Sequence, residues 1–158
     1  MFLHIHNWET PSSVMLGVFL CREVLRTNKN QIDEVANTIK NKWGSIDVLI
    51  NNAALDSPPD APEEEVGPFE NYPETSFDKV MNVNVKGTLL CCQIFGKIMA
   101  TQKQGVIINI SSVYGMGSPR QDIYNFRRKE GKTYFKPVAY SVSKSAILNF
   151  EKEFYAQS

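Results

Sequence analysis

Apolar residues recur at helical spacing over residues 28–43, where Ile32, Val35, Ala36, Ile39 and Trp43 are interleaved with Asp33, Glu34, Lys40 and Lys42. The spacing predicts an amphipathic helix. Gly44 stops it where a helix is expected to end on glycine. Ile46-Asp47-Val48-Leu49-Ile50 is short and mostly apolar, which predicts a strand covered on both faces. After Asn51-Asn52-Ala53-Ala54 the chain is acidic and proline-rich through Pro73, with Pro58, Pro59, Pro62 and Pro68, and is expected to form a surface-exposed, mobile loop. A second helical period runs to about Gln102 with Thr75 or Ser76 as its cap and Phe77, Val80, Met81, Leu90, Ile94 and Ile98 turned inward. Gly105 to Ile110 predicts a second buried strand, ending at Ser111-Ser112. Residues 115–137 carry no period and are rich in Gly, Pro, Arg and Lys. A last helix is predicted from near Pro137 through Phe154.

The order is helix, strand, helix, strand, helix, without internal repeat. Two buried strands joined by a helix imply a parallel pair with a right-handed crossover, hence an open α/β sheet. Ligands of such sheets sit beyond the carboxyl ends of the strands, here Asn51-Asn52 and Ser111-Ser112.

Composition narrows the function classes. The chain has 158 residues, is 42% hydrophobic, and balances 17 basic against 17 acidic side chains, which fits a soluble globular domain with one real core. Zero net charge argues against a nucleic-acid footprint. The longest apolar run, Val14 to Cys21, is far short of the ~20 residues that span a bilayer. With no basic region before it and no small-residue cleavage site after it, neither a secretory leader nor a membrane partner is expected. Cys21, Cys91 and Cys92 are odd in number and two are sequence neighbours, so no disulfide framework is expected and a reducing cytoplasm fits best.

Candidate chemistry lies at the strand ends and in the last helix. Tyr140-Ser141-Val142-Ser143-Lys144 stacks a phenol and an ammonium at i and i+4 on one helix face. A free phenol, with a pKa near 10, is a poor proton carrier at neutral pH, and an ammonium within ~4–6 Å favours the phenolate. Such a pair is a candidate general acid/base for interconverting a hydroxyl and a carbonyl. The spacing alone is weak: by composition such a pair has about an even chance of arising at random, and an exposed helix pair is the plainer reading. Ser112 at a strand end is ordinarily a turn or cap residue, Asn84 in mid-helix a solvent-facing one, and Asn51-Asn52 a turn.

Taken together, these segments resemble the short-chain dehydrogenase/reductase family. Asp47-Val48-Leu49-Ile50-Asn51-Asn52-Ala53-Ala54 resembles its D-x-L-x-N-N-A-G strand end, with Ala54 in place of glycine. Asn82-Val83-Asn84-Val85-Lys86-Gly87 is similar to the segment bearing its catalytic asparagine. Ile107-Ile108-Asn109-Ile110-Ser111-Ser112 is similar to the strand bearing its serine, and Tyr140 with Lys144 matches its Y-x-x-x-K pair. The likeness covers roughly residues 30–157.

The resemblance implies hydride transfer with NAD or NADP on a small-molecule substrate. Tyr140 would exchange the proton and Ser112 would hold the carbonyl oxygen. Lys144 would contact the nicotinamide ribose and lower the tyrosine pKa, and Asn84 would anchor a water linking the lysine to solvent. Asn51, Asn52 and Ala53, with Tyr140 and Lys144, would border the cofactor. It also implies a homo-oligomer built through the helices of Asn84 and Tyr140, with Leu89, Ile94, Ile98, Ile147, Phe150 and Phe154 as apolar contacts.

The expected fold is a partial Rossmann-like, doubly wound parallel sheet with flanking helices. It lacks the N-terminal dinucleotide-binding βαβ unit and the C-terminal strands: residues 1–27 read as a divergent segment and 28–158 as the incomplete domain. No T-G-x-x-x-G-x-G turn occurs; Gly17 stands alone and Gly115-Met116-Gly117 follows the wrong strand. A truncated form with impaired cofactor binding is therefore expected. The 28 residues from Ser112 to Tyr140 exceed the compact family spacing. An insertion leading into K-P-V-x-Y, as here at Lys136 to Tyr140, is similar to bacterial oxidoreductases of surface-polysaccharide and flagellin-sugar biosynthesis, which implies a sugar or sugar nucleotide. Arg120, Arg127, Arg128, Lys129 and Lys132 of the insertion are candidate phosphate contacts, with a solvated charged loop as the plainer reading. Two other readings stand beside this one: a non-catalytic fragment or interaction module, and a relative of nucleotide-sugar epimerases and dehydratases, to which Ser111-Ser112-Val113-Tyr114-Gly115 is also similar.

Overall fold

The computed structural model describes residues 17–18, 27–57, 61–128 and 133–157. They fall into two units, one drawn from Met1–Ala53 and Lys86–Ile110, the other from Ala54–Val85 and Ser111–Ser158. Cys21, Pro58, Pro59, Lys129 and Lys132 lie outside the described residues, as does the side chain of Phe154.

The first unit holds a three-stranded parallel sheet in the order β1 (Gly17–Val18), β2 (Val48–Asn51), β3 (Val106–Asn109). Strand β1 lies inside the apolar run at Val14 to Cys21, which the periodicity leaves without an element; two residues are too few to show alternation. Helix α1 (Lys29–Trp43) begins because Asn28 Oδ1 accepts from the amides of Asn30 and Gln31 at 3.1 and 3.3 Å. It ends at Gly44, whose φ of 84° suits a residue without a Cβ. Helix α2 (Glu74–Met81) belongs to the second unit, and helix α3 (Gly87–Gln102) to the first. The core of the first unit packs Ile32, Ala36 and Ile39 of α1 and Ile46 and Leu49 around β2 with Cys91, Phe95 and Met99 of α3. Gln102 closes its edge: its side-chain amide accepts from Ile46 N and donates to Ile46 O, both at 3.1 Å, as a neighbouring strand would.

Strand β3 departs from the expected burial on both faces. Ile107 packs against the core, but Val106 and Ile108 on the opposite face are 55% and 41% exposed. Side chains alternate across a strand, and α3 packs against β3 with one face, so the other set stays open.

The long helix expected from Thr75 to Gln102 runs from Glu74 without a non-helical residue, but its hydrogen-bond ladder widens midway. Helix α2 starts one turn earlier than its predicted cap, with Pro73 O accepting from Ser76 and Phe77 at 3.1 Å, and Ser76 is buried rather than capping. A wide π-turn, Asn82–Lys86, separates α2 from α3. Such turns shift the helix face by an extra residue and recur at functional sites; here Val83 and Asn84 are both buried. Short helix α4 (Val113–Met116), a 3₁₀ turn at Gln121–Arg127 and helix α5 (Val138–Gln157) complete the second unit. Its core gathers Leu55, Val80, Val83 and Ala139, with Tyr72 and Phe77 packed against it.

The acidic, proline-rich segment is more structured than its composition suggests. It forms 3₁₀ turns at Glu63–Val66 and Phe69–Asn71, and Glu65 is 2% exposed. The carboxylate accepts from Tyr72 Oη at 2.9 Å and from Ser57 Oγ. A run of three glutamates reads as solvated, so the burial of the third was not legible. Burial, reinforced by this hydrogen bond and the charge of Glu65, pushes the Tyr72 phenol above its ordinary value. Among the described residues no helix is long and apolar enough to cross a membrane.

Two expectations follow. Phe95 is fully buried at the centre of the first core, so Phe95→Ala should cost about 3–5 kcal/mol in a urea titration; a loss below 1 kcal/mol would show that the site is not core. For Tyr72 the folded state holds the proton more tightly than the unfolded chain, so stability is full below pH ~10 and falls as pH rises beyond it. Tyr72→Phe should flatten that alkaline limb in denaturant titrations at pH 8 to 11, and an unchanged limb would rule out this linkage.

Candidate functional site

Four of the sequence-predicted site residues, Asn84, Ser112, Tyr140 and Lys144, lie in the second unit. Helix α5 carries two of them. Buried Ala139 and Ile147 fix which way its face turns, and Tyr140 and Lys144 follow at i and i+4. The Lys144 side chain is buried, and its Nζ lies 5.8 Å from the centroid of the Tyr140 ring. A second ammonium, Lys136, lies 5.4 Å from the same ring and is ion-paired with Asp56. Sequence reasoning noted Lys136 only as part of K-P-V-x-Y. Its place against Tyr140 follows from the turn that Pro137 makes into α5.

Asn84 is not the solvent-facing residue of the plainer reading; it is 2% exposed. Its Oδ1 accepts from Leu55 N at 2.7 Å, and its Nδ2 donates to Leu55 O at 2.8 Å and to Ser143 Oγ at 2.9 Å. Ser143, fully buried, donates in turn to the carbonyl of Tyr140 at 2.8 Å. One amide thus links the segment after Ala54, the π-turn and the first turns of α5. Ser143 carried no signal in sequence, because a serine between Tyr140 and Lys144 is ordinary in a helix.

Ser112 caps α4, accepting from Tyr114 N at 3.2 Å. That bond uses a lone pair of the hydroxyl and not its proton, which suits a group that is to donate to a carbonyl oxygen. The cap is held against α5 at close range. Ser111 Oγ donates to Lys144 O and Ser145 Oγ donates to Gly115 O, each at 2.8 Å. A Cβ on Gly115 would lie 2.6 Å from Lys144 O, so only glycine permits this approach.

Asn51, Asn52 and Ala53 lie in the first unit. Asn51 is buried and in register with Asn109; its Nδ2 donates to Asn109 Oδ1 at 2.9 Å and to Cys92 Sγ at 3.4 Å. Asn52 is exposed and Ala53 half-buried. Asn109 joins the strand ends, a partner that the motif contains but that sequence reasoning did not single out.

The insertion's arginines meet neighbours of their own. Arg120 pairs with Asp122 and holds its carboxyl below the usual range. Arg127 donates to Tyr134 Oη at 2.8 Å, and Arg128 lies 5.1 Å over the ring of Phe135. Tyr114 and Tyr124 share a hydrogen bond of 2.9 Å, which with partial burial pushes the Tyr124 phenol up to about 12.

A buried lysine thus lies one turn from a tyrosine, a serine caps a short helix docked on the same turn, and an asparagine locks that turn. The chain is similar to several known proteins. The 3-oxoacyl-acyl-carrier-protein reductase FabG of Thermotoga maritima is 38% identical over 99 residues, 62% of this chain and 37% of that protein. The 2-(R)-hydroxypropyl-CoM dehydrogenase of Xanthobacter autotrophicus is 34% identical over 136 residues, 82% of this chain and 46% of that protein. The chain thus spans less than half the length of these relatives. In fold it is similar to an NAD+-bound xylitol dehydrogenase, with TM-score 0.64 and 24% identity over 84% of this chain and 41% of that one. The sequence profile of the short chain dehydrogenases matches residues 16–125, more than half of the chain and beginning just before β1. The chain belongs to the short chain dehydrogenase family.

Proposed function

We propose that the chain carries the proton-transfer apparatus of an NAD(P)-dependent oxidoreductase that interconverts a secondary alcohol and a ketone. The observation that carries this reading is the buried Lys144 ammonium beside the ring of Tyr140, on a turn that Asn84 clamps through Ser143. In the oxidative direction the substrate hydroxyl gives its proton to the Tyr140 oxygen while its carbon gives up a hydride. The nicotinamide, when bound, supplies the hydride acceptor. Ser112 donates its hydroxyl proton to the substrate oxygen and holds it in place through the reaction. Lys144 keeps positive charge beside the phenol and, with Tyr140, offers the donor set that ribose hydroxyls require. Asn51, Asn52 and Ala53 are proposed to border the cofactor. Asn84, besides the water-anchoring role expected of it, positions Tyr140 through its bonds to Leu55 and Ser143.

A small molecule is the substrate, in a cytoplasmic setting. A sugar or sugar nucleotide is one class that the insertion suggests. The arginines proposed for its phosphate have aromatic or carboxylate partners, which weakens that suggestion.

Self-association is the remaining part of the proposal. Ile94 and Ile147, expected at a helix-mediated interface, are buried in the chain itself at 8% and 3% exposure and are not available to a partner. Leu89 on α3 and the open face of β3 remain as apolar surface.

In an enzyme extended to the length of its relatives, Tyr140→Phe should lower turnover of a secondary alcohol with NAD or NADP by a factor of ~10²–10⁴ while leaving the melting temperature nearly unchanged. Retained turnover would remove Tyr140 from the chemistry, and an extended enzyme without turnover on either nucleotide would overturn the proposed activity. Light scattering coupled to size exclusion should give a homodimer or larger species at micromolar concentration; a single peak at 17.9 kDa would exclude self-association.

A further inference from the structure

The second unit contains a cavity of about 510 Å³ beside the first turn of α5. Its size falls in the range of small-molecule sites, ~300–1,000 Å³. Phe69, Tyr72, Pro119, Phe135 and Val138 supply apolar and aromatic walls. Phe69, at 75% exposure, is a large aromatic residue left open to solvent at this cavity.

Two of the three charged groups of the lining are already matched. The Glu65 carboxylate accepts from Tyr72 and Ser57. The Lys136 ammonium, the one cation among the described lining residues, is held by Asp56. Glu70 adds a further negative charge. An anionic ligand would meet no unengaged cation here and would face a carboxylate. One polar group is different. Ser141, the residue after Tyr140, lines the cavity, and its buried Oγ has no hydrogen-bond partner among the described residues. Buried hydroxyls are rarely left so, because the lost hydrogen bonds to water are not replaced. A ligand oxygen reaching Ser141 would replace them.

We infer that this cavity is a specificity pocket for an uncharged, ring-bearing ketone or secondary alcohol. Its apolar walls take the ring, and Ser141 Oγ hydrogen-bonds an oxygen of the ligand other than the one being oxidised or reduced. That this ligand is a substrate rests on the proposed oxidoreductase reading; the pocket and its selectivity do not. The lining selects against phosphorylated sugars and other anions, and therefore against the sugar nucleotide that the insertion suggests.

The test is equilibrium binding to the full chain by calorimetry, without nicotinamide present, so that the readout does not depend on hydride transfer. The probes are 6-hydroxy-1-tetralone, which offers a fused ring and two separated oxygens, and glucose 6-phosphate. The tetralone should bind and the sugar phosphate should bind at least tenfold more weakly. Ser141→Ala, which keeps the helix and removes the hydroxyl, should weaken tetralone binding about tenfold. Phe69→Ala, at an exposed position outside the core, should weaken it as well and keeps the test valid if the helix variant misfolds. Absence of tetralone binding, equal binding of the two probes, or indifference to both substitutions would overturn the inference. Binding with this dependence, but without turnover on either nucleotide by an enzyme extended to the length of its relatives, would leave the pocket standing and remove the oxidoreductase reading. Turnover of other alcohols without tetralone binding would do the reverse.

Discussion

The candidate site depends on one buried amide. Asparagine is a poor helix residue because its side chain competes for backbone hydrogen bonds, and Asn84 does so where the helical ladder is already loosened by a π-turn. Its carboxamide matches both the donor and the acceptor of Leu55 and still reaches Ser143. Each bond replaces a solvation that burial has removed, so losing the side chain would leave several groups unpaired at once, not one. Tyr140 is thereby held through its own carbonyl rather than through its phenol. The backbone that carries the phenol is fixed without a bond to the phenol itself.

Close approach does comparable work on the other side of the turn. Ser112 stands on a helix of only four residues, which has little stability of its own. Hydrogen bonds from Ser111 and Ser145 and the missing side chain of Gly115 tie that helix to the backbone of α5 next to Lys144. Two short-range constraints thus converge on a few residues of α5: one fixes the backbone of Tyr140, and the other fixes the helix that Ser112 caps.

What was legible in sequence follows from where the information lies. The helix of residues 28–43, its stop at Gly44, β2 and the start of α5 came from period and local breakers, which are properties of contiguous residues. The parallel order of β2 and β3 came from the helix between them. The π-turn at Asn82–Lys86 was not legible, because it keeps a helical apolar pattern and the partner of its Asn84, the backbone of Leu55, lies far along the chain. The open face of β3 was missed because Val106, Ile107 and Ile108 are equally apolar, and alternation cannot be read from residues of one kind. The motif residues were recognisable by resemblance. Their supports, Ser143, Asn109, Gly115 and Lys136, stood inside the same motifs without a signal, since a supporting role is defined by contacts and not by residue type.

The long insertion has a property that its composition conceals. It leaves the fold at Gly115, whose carbonyl is bound by Ser145, and returns through Lys136 and Pro137 into the first turn of the same helix. Departure and return are both moored to α5, so the segment is a closed handle rather than a tether between distant elements. Closing a longer handle costs only about 0.6 kcal/mol for each doubling of its length. Residues can therefore be added to or removed from its outer part, reshaping what the chain presents beside Tyr140, while the spacing of Ser112, Tyr140 and Lys144 is kept by the moorings.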